Sequence, residues 1–149
     1  MDNEITIRFA IFNDLPSIVA IYNQAIKSKC ATGDTEEFKV NDRIDWFNKF
    51  DIHNYPLYVA EINTKIVGFC SLSAYRPGRK AMFAVAEISY YVDYAYHKNG
   101  IGTALLRHTI IDCKRIGKKN LLAFLLDLNT STIRLLEKFN FKKLGHLPD

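Results

Sequence analysis

The sequence offers little from which a disulfide frame, a metal knuckle, a linker or a membrane span could be built. Its three cysteines, Cys30, Cys70 and Cys113, are odd in number, far apart and outside any CxxC pair. Reduced thiols that fill space are the expectation. The four histidines, His53, His97, His108 and His146, are too scattered for a local ligand set, so no metal site is expected. Four prolines and seven glycines fall singly where turns are wanted. With no repeat, low-complexity tract or linker, residues 1–149 read as one domain. No apolar run approaches the ~20 residues of a membrane span, and Met1-Asp2-Asn3-Glu4 has neither a basic flank nor an apolar signal stretch. A cytoplasmic protein without a membrane partner is the expectation.

What is present suits a compact domain: 48% of the residues are hydrophobic and 24% charged, enough for a real core. The formal charge is +4, yet no stretch interleaves basic and aromatic residues as a nucleic-acid surface does. A mildly basic enzyme for anionic ligands, with no nucleic-acid partner, fits better.

Periodicity predicts a mixed α/β order. Ile5 to Phe9 alternates as a half-buried strand. Asn13 or Asp14 can cap a helix whose apolar face carries Leu15, Ile18, Val19, Tyr22 and Ile26, with Pro16 in its first turn. Lys29 to Lys39 is poor in helix formers, turns at Thr32-Gly33-Asp34-Thr35 and leads to a second helix around Ile44, Trp46 and Phe47; such a loop could line a site. Leu57–Ile62 and Ile66–Leu72 read as a hairpin around Asn63-Thr64-Lys65, followed by a strand from about Ala81 to Val92. Helical spacing returns after Gly102 with Leu105, Leu106, Ile110 and Cys113, and Gly117 can end that helix in a left-handed cap. The apolar run Leu121–Leu126 reads as a strand buried on both faces, which makes Ala81–Leu126 a parallel strand-helix-strand crossover. A helix from about Thr130 to Phe139 and a short strand near Phe141–Leu144 close the chain.

His97-Lys98-Asn99-Gly100-Ile101-Gly102-Thr103 stands where a strand hands over to a helix. Glycines there let backbone N–H groups converge at a helix N-terminus, which suits a pyrophosphate. The spacing alone fits a tight turn without a ligand equally well. Further stretches in the same order decide. They are Ile21-Tyr22-Asn23, Ala31-Thr32-Gly33-Asp34-Thr35-Glu36, Asp45-Trp46-Phe47 and Tyr55 to Glu61, then Ala86-Glu87-Ile88-Ser89-Tyr90-Tyr91-Val92, Leu105-Leu106, Asn129, Leu135, Glu137-Lys138 and Phe141. Together they resemble the GNAT superfamily of N-acetyltransferases, and its phosphinothricin and methionine-sulfoximine acetyltransferase branch in particular, over nearly the whole chain.

The resemblance implies a twisted mixed sheet, antiparallel in its N-terminal strands and parallel across the crossover, with helices on both faces. It implies acetyl-coenzyme A as donor, its pyrophosphate on the amides of Lys98, Asn99, Gly100, Ile101, Gly102 and Thr103 and its pantetheine arm along Tyr90, Tyr91 and Val92. Asn129 is implied near the cofactor, and it can equally cap the last helix. The acceptor implied is a small amine or amino acid, and a homodimer is implied by analogy.

Acetyl transfer requires a neutral amine, so some group must accept a proton. Glu87, in an apolar-rich strand on the face of Val85, Ser89 and Tyr91, is the candidate base; an ion pair with a nearby basic residue is the alternative. No cysteine carries the signature of an activated nucleophile, which favours direct attack. Backbone N–H groups near Tyr90 or Tyr91 would stabilise the oxyanion. Many relatives carry tyrosine or histidine as the acid in the last helix, where this chain has Leu136, so the role falls to another group such as Tyr91 or is unnecessary. Arg76 and Arg79 could grip a substrate carboxylate while Lys80, Ala81 and Met82 wall the pocket beside Glu87, Ile88 and Ser89; a solvated surface turn is the alternative. The match departs at His97 and Lys98, where the branch has glutamine or arginine and often glycine, and at Met82, Val85 and Asn140. The chain stops at Asp149, where relatives continue into a further sheet strand, so a missing C-terminal strand is expected. A weak or inactive coenzyme A-binding relative and a protein or peptide N-acetyltransferase are the competing functions.

Overall fold

The computed structural model describes residues 4–148; Met1–Asn3 and Asp149 lie outside the described residues. One five-stranded sheet runs in the order β1-β2-β3-β4-β5. Its strands are β1 (Thr6–Phe9), β2 (Leu57–Ile62), β3 (Lys65–Ala74), β4 (Val85–Val92) and β5 (Asn120–Leu122), and its helices α1 (Leu15–Ser28), α2 (Ile44–Asn48), α3 (Ile101–Asp112) and α4 (Thr130–Lys138). Neighbours from β1 to β4 are antiparallel, and β4 pairs with β5 in parallel. Helix α3 makes the crossover between that parallel pair, as the strand-helix-strand pattern predicts.

The β2–β3 hairpin closes through Asn63 and Thr64, at φ 49° and 67°, which matches the right-handed twist of the strands it joins. Two residues later the pairing jumps from Glu61↔Ile66 to Ala60↔Gly68, a bulge that carries Val67 as the extra residue. The two faces of the sheet bury separate clusters. Ile18, Ile21, Leu57, Val59, Ile66 and Phe69 pack on the α1 side. Tyr58, Val67, Cys70, Leu72, Ile88, Leu105, Leu106 and Leu136 pack on the side of α3 and α4. Helices therefore cover both faces.

Five local expectations need correction. Asp14 stands at the α1 N-terminus, but its side chain makes no cap. Its carboxylate instead accepts from Arg8 Nη1 and Nη2 at 2.7 and 3.0 Å and from the Ile11 N–H at 2.8 Å, while Arg8 Nε reaches Glu61 at 2.9 Å. A charge-assisted pair outcompetes a single cap bond. The strand expected from Ala81 begins at Val85, because Lys80–Met82 closes a single 3₁₀ turn. Gly117 does adopt φ 73°, but α3 ends at Asp112, so the glycine reverses a later turn rather than the helix itself.

The run Leu121–Leu126 contributes only Leu121 and Leu122 to the ladder, and Phe124 is 64% exposed. An apolar run buried on both faces needs helices over both faces and a neighbour on each edge. Among the described residues β5 has β4 alone. Phe141–Leu144 forms no strand either, and Leu144 is exposed.

Candidate active site

The β4–β5 ladder stops at Glu87↔Leu122, whereas β4 stays paired with β3 as far as Val92↔Gly68. The two parallel strands thus part beyond Glu87. The Asp93 N–H donates to Val67 O on β3 at 2.8 Å. Strand groups alternate in direction, so the N–H and C=O of Tyr91 also point to β3, while those of Tyr90 and Val92 point into the gap. That gap is a narrow, open cleft between Ile88–Tyr91 of β4 and Ala123–Leu125, floored by Asn129, Thr132 and Leu136 near α4. Beyond the cleft, toward the end of β4, His97 Nε2 lies 3.1 Å from Val92 O.

At the same end stands the glycine turn. Gly100 is the α3 N-cap at φ 78°, a conformation that only glycine adopts without strain, and Lys98 precedes it at φ 66°. The first helical bond is Ala104 N–H to Gly100 O at 3.0 Å. The N–H groups of Ile101, Gly102 and Thr103 therefore lie outside the helix ladder and carry its positive dipole end. A Cβ on Gly102 would sit 2.9 Å from Leu135 Cδ2 and 3.0 Å from Tyr90 Cε2. Glycine is what allows α3, α4 and β4 to converge there. Lys98 and Asn99 are exposed at the rim, and Asn99 Nδ2 donates to His97 O at 3.1 Å.

Asn129 caps the last helix, as one of its two expected roles requires, and borders the cleft. Its Oδ1 accepts from the Thr132 N–H at 3.4 Å. Tyr90 turns its ring to the α4 side and donates to Thr132 Oγ1 at 3.2 Å. Leu136, 6% exposed, closes the cleft with hydrocarbon.

Glu87 faces the opposite side of β4, across from Ser73 of β3, and is half-buried. Burial lifts its carboxyl above the usual carboxylate range. No ammonium or guanidinium among the described residues pairs with it, which sets aside the ion-pair alternative. Tyr91, four residues along on the same face, packs edge-on against Tyr22 at 5.0 Å and beside Phe69 at 5.3 Å. Burial raises its phenol. Tyr22 in turn donates to Asp34 and shares a bond with Thr32 Oγ1 at 2.7 Å. Asn23 exchanges bonds of 2.8 and 2.9 Å with the Phe38 backbone. The helix-poor loop after α1 is thereby tied down next to β4, and its Ala31 lines the cleft.

The basic turn is open to solvent. Arg76, Arg79, Lys80 and Ala81 are exposed and Met82 half-buried, and none of the charged three has a carboxylate partner. Arg76 lies 5.1 Å over the Tyr75 ring, which stacks on Phe124 of the cleft wall at 6.3 Å. Periodicity gave no sign of Arg43, whose guanidinium sits 4.3 Å from Trp46, 4.6 Å from Phe38 and 5.2 Å from Tyr22. Its rings come from three separate segments, so no local pattern announces it. Among the described residues no group of three or more His, Cys, Asp or Glu could hold a metal, and no helix is long and apolar enough to cross a membrane.

Comparison with known proteins bears on this geometry. The profile of the acetyltransferase (GNAT) family matches residues 18–141. YwnH of Bacillus subtilis (strain 168), provisionally named a phosphinothricin acetyltransferase, is 36% identical over 96% of this chain and 87% of its own. The L-methionine sulfoximine/L-methionine sulfone acetyltransferase of Salmonella typhimurium (strain LT2) is 30% identical over 96% of this chain and 83% of its own. A solved GNAT superfamily phosphinothricin acetyltransferase from Sinorhizobium meliloti, in complex with acetyl-coenzyme A, superposes with a TM-score of 0.88 at 27% identity, covering 95% of this chain and 76% of that one. With the sheet, the parted strands and the glycine turn all in place, the chain belongs to the acetyltransferase (GNAT) family.

Proposed function

We propose that this protein is an acetyl-coenzyme A-dependent N-acetyltransferase whose acceptor is a small amino-acid-like amine of the phosphinothricin, methionine sulfoximine and methionine sulfone class. The observation that carries this reading is the open edge of β4, which has the free N–H groups of Ile101–Thr103 at one end and the unpaired carboxylate of Glu87 near the other. Names of relatives support the acceptor class.

The residues present fit the donor. Ile101, Gly102 and Thr103, with Lys98, Asn99 and Gly100 shaping the turn, offer N–H groups to its diphosphate. The backbone of Tyr90 and Val92 offers alternating donors and acceptors to its amide-bearing arm, as a sheet edge does to an added strand. His97 must leave Val92 O for that pairing to complete. Once bound, the donor supplies an acetyl thioester. Tyr91 N–H points to β3, so the oxyanion donor on this strand is Tyr90 N–H or its neighbour in the gap, rather than that of Tyr91.

Glu87 accepts a proton from the acceptor nitrogen, directly or through water. Its raised pKa brings it closer to the range where a carboxylate can take one up near neutral pH. As the new N–C bond forms, the C–S bond breaks and coenzyme A leaves as a thiolate or thiol. Leu136 cannot protonate it, and Tyr91 is the assigned acid. Arg76 or Arg79 grips the acceptor carboxylate in a two-pronged bond, with Lys80, Ala81, Met82, Ile88 and Ser89 shaping the pocket. Assembly as a homodimer and residence in the cytoplasm complete the reading.

A thiol-release assay tests it: coenzyme A should be freed with methionine sulfone, methionine sulfoximine or phosphinothricin as acceptor. No release with any of these, nor with a panel of other amino acids and peptides, would overturn it. The buried Leu136 favours one second reading, a coenzyme A-binding relative with weak activity, for which calorimetric binding would persist without turnover.

A further inference from the structure

Lys118 is only 5% exposed, the one ammonium among the described residues so far removed from water. Among the described residues no carboxylate forms a salt bridge with it, and Asp51 favours its charge only at longer range. Its Nζ donates to the Phe83 carbonyl at 2.9 Å and lies 3.5 Å from the Phe83 ring centroid and 4.0 Å from that of Tyr55. Burial lowers its pKa, a cost that a hydrocarbon side chain of similar length would avoid. What the charge does here is hold one backbone carbonyl in place. That carbonyl stands at the end of the basic turn. Phe83 directly follows the 3₁₀ turn Lys80–Met82 and precedes β4 by one residue. The next carbonyl, Ala84 O, is held by the N–H groups of Lys119 and Asn120 at 2.7 and 3.1 Å. Residues 118–120 therefore grip both carbonyls on which the turn hangs, and Lys118 alone supplies a charge.

We propose that Lys118 is a positioning residue for acceptor recognition: clamped between Tyr55 and Phe83, its ammonium sets where Arg76, Arg79 and Met82 stand relative to the Glu87 carboxylate. This rests on the acceptor site described under the proposed function. The clamp lies away from the glycine turn, so it acts on the acceptor and not on the donor.

Lys118→Met keeps the length and apolar body and removes the charge. Loss of one charged hydrogen bond corresponds to about a tenfold effect. Acceptor KM should rise about tenfold with acetyl-coenzyme A KM and thermal stability unchanged, and backbone hydrogen exchange should quicken over residues 79–84. Tyr55→Leu, which leaves the ammonium in place, should move the same quantities by a smaller factor. Wild-type acceptor KM and exchange in Lys118→Met would overturn the proposal, as would a uniform fall in stability with both KM values unaltered. If the wild type acetylates no amine, the functional reading fails while the exchange measurement still decides whether the clamp exists.

Discussion

The two edges of β4 behave differently, and the difference is the site. Toward β3 the strand is paired from Ala86↔Ala74 to Val92↔Gly68, whereas toward β5 it is paired only from Val85↔Asn120 to Glu87↔Leu122. One edge supplies rigidity. The other leaves backbone donors and acceptors that have been placed by that rigidity but not consumed by it. A ligand that meets such an edge meets groups whose ordering cost has already been met by folding. The same strand also separates its side chains: Tyr90 faces α4 and the cleft floor, while Tyr91 packs on Tyr22 of α1 with Glu87 on the same side of the strand.

The largest expected effect comes from removing the chemistry without touching either edge. Glu87→Gln should lower kcat/KM by about 10²–10⁴-fold, with thermal stability retained because the carboxylate has no ion pair to lose. Only the ionised form accepts a proton. Wild-type kcat/KM should thus rise with pH through the raised range of this carboxyl, and that limb should be absent from the variant's profile. A profile shared by both proteins would remove Glu87 from the role of base.

Proline separates the edges themselves. Tyr91→Pro deletes an N–H that points to β3 and should be strongly destabilising, measured by denaturant unfolding. Val92→Pro deletes one that points into the gap; it should be much less destabilising and should instead weaken acetyl-coenzyme A binding in calorimetry. Equal destabilisation by the two would break the distinction.

A smaller effect is expected at the opposite edge of the sheet, beside β1. Burial alone would raise the Asp14 carboxyl, but bonds from Arg8 and from the Ile11 N–H outweigh it and hold the group below the usual range. A depressed folded-state pKa gives stability that is present above the unfolded-state value and is lost as pH falls through the folded one. Asp14→Asn should therefore cost about 1–3 kcal/mol near neutral pH. The gap from wild type should close as the solution is acidified, with acetyl-coenzyme A affinity unchanged.

Much of this was legible in the residues. Alternation placed the β2–β3 hairpin, helical spacing placed α1 and α3, and the glycine turn was found where β4 hands over to α3. Glu87 could be singled out as a carboxylate inside an apolar-rich strand, and Tyr90 and Asn129 through the family resemblance. What failed depended on partners distant in sequence. Leu121–Leu126 has the composition of a central strand, but composition cannot say whether a neighbour stands on its outer edge. The aromatic setting of Arg43 and the clamp at Lys118 are likewise assembled from separate segments. Lys118 lies in the run Lys118-Lys119-Asn120, which reads as solvated surface until Phe83 and Tyr55 are folded over it.

Residue-resolved hydrogen exchange, with and without acetyl-coenzyme A, tests the open edge most directly. Added ligand should slow the N–H groups of Tyr90, Val92 and Ile101–Thr103, leaving those of Tyr91 and Asp93, already bonded to β3, as slow as before. Protection spread evenly along β4, or confined to residues away from both the cleft and the glycine turn, would contradict the placement of the donor on which the account depends.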